Sequence, residues 1–140
     1  MILIDTNVVS ETMRRQPDAA VTTWLDRQVW DSLFLCTPVL AELHHGIERL
    51  AAGRQRQDLA HALDRIQNDL YYGRILSFDE PAAARYGQLT ARREQQGRRM
   101  GEMDALIAAI AMTHRATIAT RDVHDFDELG IELINPFDPR

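Results

Sequence analysis

Lysine is missing from this chain: all 16 of its basic residues are arginine. That excludes a P-loop, whose lysine reaches the phosphates, and a lysine Schiff base. Cys36 is the only cysteine, so a disulfide framework and a cysteine-rich zinc site are excluded as well. The five histidines, at 44, 45, 61, 114 and 124, show no HExxH-like spacing, which disfavours zinc. Adjacent His44 and His45 would face different sides of a helix, and His124 reads as a surface-loop residue. Long apolar runs are also lacking. Nothing approaches the ~20 residues of a membrane span. The opening run has no basic segment before it and stops at Asp5, too early for a signal peptide. No membrane association and a cytoplasmic location are therefore expected.

What is present is ordinary for a globular chain: 140 residues, 45% hydrophobic and 26% charged. One domain, 1–140, with a real core is expected. Short apolar runs at 2–4, 33–36, 75–78, 117–120 and 131–134 read as buried strands. Between them lie helical patterns at 7–15, entered through Thr6 or Asn7 as N-cap, and at 21–28, capped by Asp18. Further helical patterns run over 38–51, 54–72, 81–96 and 102–115, and Arg121–Glu128 reads as a loop or helical turn. In the 54–72 helix Leu59, Leu63, Ile66 and Leu70 are expected inward. Strands alternating with helices predict an α/β fold with a short, mainly parallel central sheet. The stretch 38–72 reads as a helical hairpin inserted between two strands, suited to an interaction surface.

The carboxylates carry the chemistry. Asp5 ends the first strand and Asp122 follows the 117–120 strand, where an open parallel sheet places ligands. Asp125 comes three residues later. Glu42 stands at the margin of its helix's apolar stripe. Asp104 lies in the first turn of a helix that is apolar nearly all round, and a carboxylate buried there must be paired, hydrogen-bonded or metal-bound. Each has a plainer reading. Glu42 suits a solvent-facing helix start, Asp104 an acceptor of N-terminal amides, and Asp122 or Asp125 a turn. As a set they suit Mg²⁺ or Mn²⁺ in an all-oxygen site, because clustered like charges need a cation. Such a site supports phosphodiester hydrolysis. The net charge of −5 fits this partition. With these five set aside from the 21 acids, the remaining 16 balance the 16 arginines, so a polyanionic substrate is compatible with the acidic total.

Four stretches in order carry a resemblance across essentially the whole chain. They are Ile2-Leu3-Ile4-Asp5-Thr6-Asn7, Thr37 to Gly46 around Glu42, Met103 to Ala109 around Asp104, and Thr120-Arg121-Asp122-Val123-His124-Asp125-Phe126, closed by Ile134-Asn135-Pro136. The chain resembles the PIN-domain ribonucleases, specifically the VapC-type toxins of toxin–antitoxin systems and their FitB-like branch. The resemblance implies a three-layer α/β/α sandwich, usually dimeric. It implies an acidic quartet of Asp5, Glu42, Asp104 and Asp122 that binds Mg²⁺ or Mn²⁺ and cuts RNA. It also implies a cognate antitoxin that covers the site, with operator DNA bound through that antitoxin. Many relatives have asparagine at the position of Asp122 and an aspartate three residues on. This chain has both acids, and Asp122 is preferred as the metal-side residue because it directly follows the strand. Asp125 would assist through water or cap a turn. Thr6 and Thr120 would orient carboxylates or merely cap.

Arg92-Arg93 and Arg98-Arg99 flank Gly97 just before the Asp104 helix, and Arg14, Arg15 and Arg121 lie near the strand ends. Arginine forks suit phosphate, although each alone reads equally as a solvated surface residue. Trp24, Trp30, Tyr71 and Tyr72 could stack on bases, fill an interface or pack internally. Two rival functions stand beside the nuclease reading. A haloacid-dehalogenase-like phosphatase also has an aspartate after its first strand, but needs a second one two residues on, where this chain has Asn7, and a lysine. A non-catalytic PIN-like binding module would lack divalent-metal binding.

Overall fold

The computed structural model describes residues 1–138. Five short strands form the centre: β1 (Ile2–Ile4), β2 (Leu33–Cys36), β3 (Ile75–Leu76), β4 (Thr117–Ala119) and β5 (Leu133–Ile134). Six helices flank them: α1 (Thr6–Thr12), α2 (Ala19–Asp26), α3 (Thr37–Glu48), α4 (Arg54–Arg65), α5 (Glu80–Gln95) and α6 (Glu102–His114). Every strand pair is parallel, in the order β3-β2-β1-β4-β5. The architecture is the expected α/β sandwich, with the sheet parallel throughout.

That order explains where a site can form. The chain steps outward from β1 to β2 and β3, then returns to lay β4 on the other side of β1. The β1/β4 boundary is therefore the point where the strand order reverses, and a crevice opens beyond the carboxyl ends of those strands. The register Ile4↔Ala119 sets Asp5 level with Thr120, and the Asp5 amide donates to the Ala119 carbonyl at 3.0 Å. The strands are near-continuous apolar runs because both faces are covered. Leu3, Ile4, Leu35 and Ile118 are fully or almost fully buried, packed with Ile107 and Ile110 of α6 and with Phe126. Burying one such side chain stabilises the fold by about 1.5–3 kcal/mol.

Several boundaries differ from expectation, each for a local reason. Asp5 itself caps α1, accepting from the Thr6 amide at 2.7 Å, so the helix starts at Thr6 with neither Thr6 nor Asn7 as cap. It stops at Thr12 because buried Glu11 turns back to accept the Asp18 amide at 2.9 Å. The third strand ends at Leu76: the Phe78 amide donates to the Thr37 hydroxyl at 3.3 Å and not to a neighbouring strand. The fifth strand is confined to Leu133–Ile134. The helix expected over 54–72 is α-helical only to Arg65 and then widens into a π-helical turn, Ile66–Leu70. The Tyr71 amide bonds the Ile66 carbonyl at 3.0 Å. This extra residue per turn lets Ile66 and Tyr71 both face the core and turns Leu70 outward, against its expected inward place. The 121–128 segment holds a 3-10 turn, Val123–Phe126, which buries Phe126 and leaves Asp122 and Asp125 exposed.

Candidate active site

The five candidate acids reach the crevice from four elements. Asp5 ends β1, Glu42 sits in the second turn of α3, Asp104 in the first turn of α6, and Asp122 and Asp125 flank the 3-10 turn after β4. Small polar side chains tie three of these elements together, α6 excepted. Thr120 is fully buried; its hydroxyl donates to Asp5 Oδ2 at 2.7 Å and accepts from the Asp122 amide at 2.9 Å. The Thr6 hydroxyl donates to Glu42 Oε1 at 2.7 Å. Asn7 Nδ2 reaches Asp122 Oδ2 at 3.0 Å and, more weakly, Asp5 Oδ2 at 3.4 Å. Asn7 Oδ1 accepts from the Arg121 amide at 3.1 Å. Threonine at 6 and 120 was expected to orient carboxylates or merely cap; both hydroxyls contact candidate acids.

The electrostatics of this crevice are one-sided. Burial pushes the Asp5 carboxyl above its ordinary value; the Thr120 and Thr6 donors oppose the rise, and the Glu42 and Asp122 charges add to it. Asp104 is raised to about 6, by burial first and then by Asp5, Asp125, Glu42 and Asp122. Cys36, at the end of β2, is pushed up to about 12 by burial, with Asp5 and Glu42 adding to the rise. That thiol stays neutral and is no nucleophile. Among the described residues, every ion pair engages other acids, namely Glu11, Asp31, Glu48, Asp127 and Glu128. None engages the five candidates.

Those observations bear on whether a cation fits. Among the described residues, no three Asp, Glu, His or Cys side chains already stand together as a ligand set. Repulsion between uncompensated carboxylates accounts for such spacing, and Thr6 and Asn7 hold Glu42 and Asp122 in the meantime. The donors are all oxygens, no arginine pairs with them, and Asp5 and Asp104 hold their protons more tightly than ordinary carboxyls. Such a set suits a hard divalent ion.

Two residues at this end received no site role from the sequence, Asn7 having been read as a candidate helix cap. Asn7 bridges Asp5 and Asp122, and Glu11 is 5% exposed with Arg14 and Arg121 beside it at 3.4 and 3.7 Å. Their i, i+4 spacing, which puts both on one face of α1, was the available signal. A cavity of about 650 Å³ lies elsewhere, between α2 and β5 and lined by Trp24, Arg27 and Ile134 among others. It holds none of the five acids. A smaller one of about 250 Å³ includes Asp104 and Asp125.

A parallel sheet in the order β3-β2-β1-β4-β5, flanked by six helices and with uncompensated carboxylates at its switch point, defines an α/β sandwich with a candidate site at the carboxyl ends of β1 and β4. Within that class, the PIN domain family model matches residues 2–132. The chain is 39% identical to Toxin FitB of Neisseria gonorrhoeae over 137 residues, 98% of this chain and 99% of that protein. It is 37% identical to VapC ribonuclease Y4jK of Sinorhizobium fredii over 139 residues, 99% of each. A solved structure of FitAB bound to an IR36 DNA fragment superposes with a TM-score of 0.92 at 36% identity, covering 100% of this chain and 98% of that chain. The chain belongs to the PIN-domain family, in its branch of VapC- and FitB-type toxins. Among the described residues no helix is long and apolar enough to cross a membrane.

Proposed function

We propose that this protein is a Mg²⁺- or Mn²⁺-dependent endoribonuclease, the toxin of a type II toxin–antitoxin pair. The observation that carries the reading is the set of five unpaired carboxylates at the β1/β4 switch point, with Asp104 raised to about 6. Asp5, Glu42, Asp104 and Asp122 would hold the ion, and Asp125 would contribute through water. A bound divalent ion supplies water activation and stabilises charge on the phosphorus and the leaving oxygen.

The chain's own residues prepare that site. Thr120 and the Thr6 amide fix the two oxygens of Asp5 from opposite sides, at 2.7 Å each. The Thr6 hydroxyl keeps Glu42 turned toward the β1 end. Asn7 ties Asp122 to Asp5, so the loop after β4 cannot swing its acid away without breaking that bridge. Asp104 holds a proton up to about pH 6 and gives it up on taking a cation.

The wider reading rests on kinship. FitB is a named toxin, Y4jK a named ribonuclease, and the FitAB structure holds a DNA fragment. We therefore read residues 1–140 as one PIN-like domain, with the α3–α4 hairpin inserted between β2 and β3. We expect it to act on RNA in the cytoplasm, to form a homodimer, and to be covered by a cognate antitoxin through which operator DNA is bound. Purified protein should cut single-stranded RNA in Mg²⁺ or Mn²⁺ and stop in EDTA. Cleavage that persists in EDTA, or is unchanged in Asp5→Asn, contradicts the reading. A stably folded protein without divalent-ion binding would favour a non-catalytic PIN-like module.

A further inference from the structure

Arg93 is an anomaly in α5. It continues the inward stripe Ala82, Tyr86, Leu89 and is only 4% exposed. Its Nη2 donates to the Asp127 carbonyl at 2.6 Å, but its Nε is buried with no hydrogen-bond partner. An unsatisfied buried donor on a cation is costly and calls for an explanation. Arg93 lines the cavity of about 250 Å³ that opens beside Asp104 and Asp125, together with Arg98 and Arg99. These arginines have different jobs. Arg98 is committed to Asp127, at 2.7 Å, and to Glu128, so it braces the loop 97–101 against the segment after the 3-10 turn. Arg99 is exposed, and no hydrogen bond or ion pair engages it.

We propose that this cavity is a phosphate subsite, in which Arg99, backed by Arg93, takes the RNA phosphate adjoining the one at the carboxylates. The inference rests on the nuclease reading for its substrate. Three features select an RNA phosphate. The cavity shares Asp104 and Asp125 with the carboxylate cluster, so its occupant is a neighbour of whatever binds there. Its unengaged guanidinium donors, on Arg99 and at the Arg93 Nε, match phosphate oxygens, while the acceptors Asp104 and Asp125 belong to the carboxylate cluster. The next groove, about 310 Å³ between α5 and α6, shares Arg99 and Met100 but adds Glu94 and Glu102. Those two acids lie outside the cluster that a divalent ion would neutralise, so the strand's charge is read at Arg99 and not beyond it.

Arg99→Ala tests this directly, because an exposed loop residue can be removed without disturbing the core; Arg93→Lys is the riskier companion. Arg92→Ala, on the exposed face of α5 and outside the cavity, is the control. The probe is a fluorescent single-stranded oligoribonucleotide, with binding followed by anisotropy in EDTA across a salt series. Arg99→Ala should weaken binding about five- to tenfold and lower the log–log salt slope by about 0.7, the loss of one single-strand phosphate contact. In Mg²⁺ or Mn²⁺ it should raise KM and leave kcat near wild type. Equal behaviour of Arg99→Ala and Arg92→Ala, or an unchanged salt slope, overturns the subsite even if cleavage is normal. Arg99-dependent binding of a polyglutamate peptide with none of the oligoribonucleotide would make the cavity a protein-docking site and also overturn it. Arg99-dependent RNA binding by a protein that never cuts RNA would retain the subsite and remove the nuclease reading.

Discussion

Charge is handled in opposite ways at the two ends of the sheet. At the amino ends of β2 and β3, Arg74 is fully employed. Its Nε donates to the Leu33 carbonyl at 2.9 Å and its Nη2 to the Leu70 carbonyl at 2.6 Å. Its guanidinium also lies 5.7 Å from the Trp30 ring centroid and 5.6 Å from that of Tyr71. Trp30 in turn donates to the Leu70 carbonyl at 3.1 Å. One cation there meets partners on every side. At the carboxyl ends of β1 and β4, five carboxylates meet hydroxyls, amides and one another, and no cation. A fold that can satisfy Arg74 so completely leaves the acids uncompensated at a stability cost. Unfavourable charge of this kind is typical of functional sites.

The contrast can be broken or sharpened by substitution. The largest effect is expected at the unpaired end. Asp5→Asn should lower RNA cleavage at least about a thousandfold, since a lost cation site removes several kcal/mol of transition-state stabilisation. Its thermal unfolding temperature without metal should hold or rise. Arg74→Ala should do the reverse. It removes charged hydrogen bonds and ring contacts worth about 2–3 kcal/mol in urea unfolding, while cleavage per folded molecule stays at the wild-type level. If Arg74→Ala abolishes cleavage in the folded protein, the two ends are not functionally separate. Thr120→Val tests the link between carboxylates. Loss of its hydroxyl should weaken Mn²⁺ affinity by about tenfold in calorimetry, with Asp122 also loosened because its amide loses its acceptor.

The smallest effect is a pH dependence whose sign differs by region. In the metal-free protein Asp104 is raised from 3.8 to about 6. Its contribution is therefore fully present below pH 3.8 and is lost as pH rises toward and through about 6. Asp127 is lowered, chiefly by its hydrogen bond from Arg98. Its contribution is present above 3.8 and is lost as pH falls below that. Asp104→Asn should thus raise the metal-free unfolding temperature at pH 7–8 and flatten its slope between pH 4 and 6. Asp127→Asn should lower it at neutral pH and flatten the slope only in acid.

Much of the carboxyl end was legible in the sequence, because its signals are local. An apolar run ending in Asp5, a second one ending before Asp122, and a lone Asp104 in an apolar helix each stand out without tertiary context. Their convergence needed one further fact, that β1 and β4 are neighbours, which strand alternation alone does not supply. The amino end was opaque. Trp30 lies far along the chain from Tyr71 and Arg74, and Leu70 and Tyr71 trade places only because a π-helical turn interrupts the 3.6-residue period on which the reading relied. The burial of Arg93, already noted as suited to phosphate, escaped for the opposite reason. That residue sits on the inward stripe of α5, where arginine is ordinarily taken as a surface residue.

Five carboxylates without a cationic partner converge beyond the ends of β1 and β4, at a place suited to a divalent ion. The most direct measurement is the titration of the Asp104 carboxyl carbon by NMR, in EDTA and then in saturating Mg²⁺. The expected result is a midpoint near pH 6 without metal and a marked fall when Mg²⁺ is added. An ordinary carboxylate midpoint that ignores Mg²⁺ would contradict it.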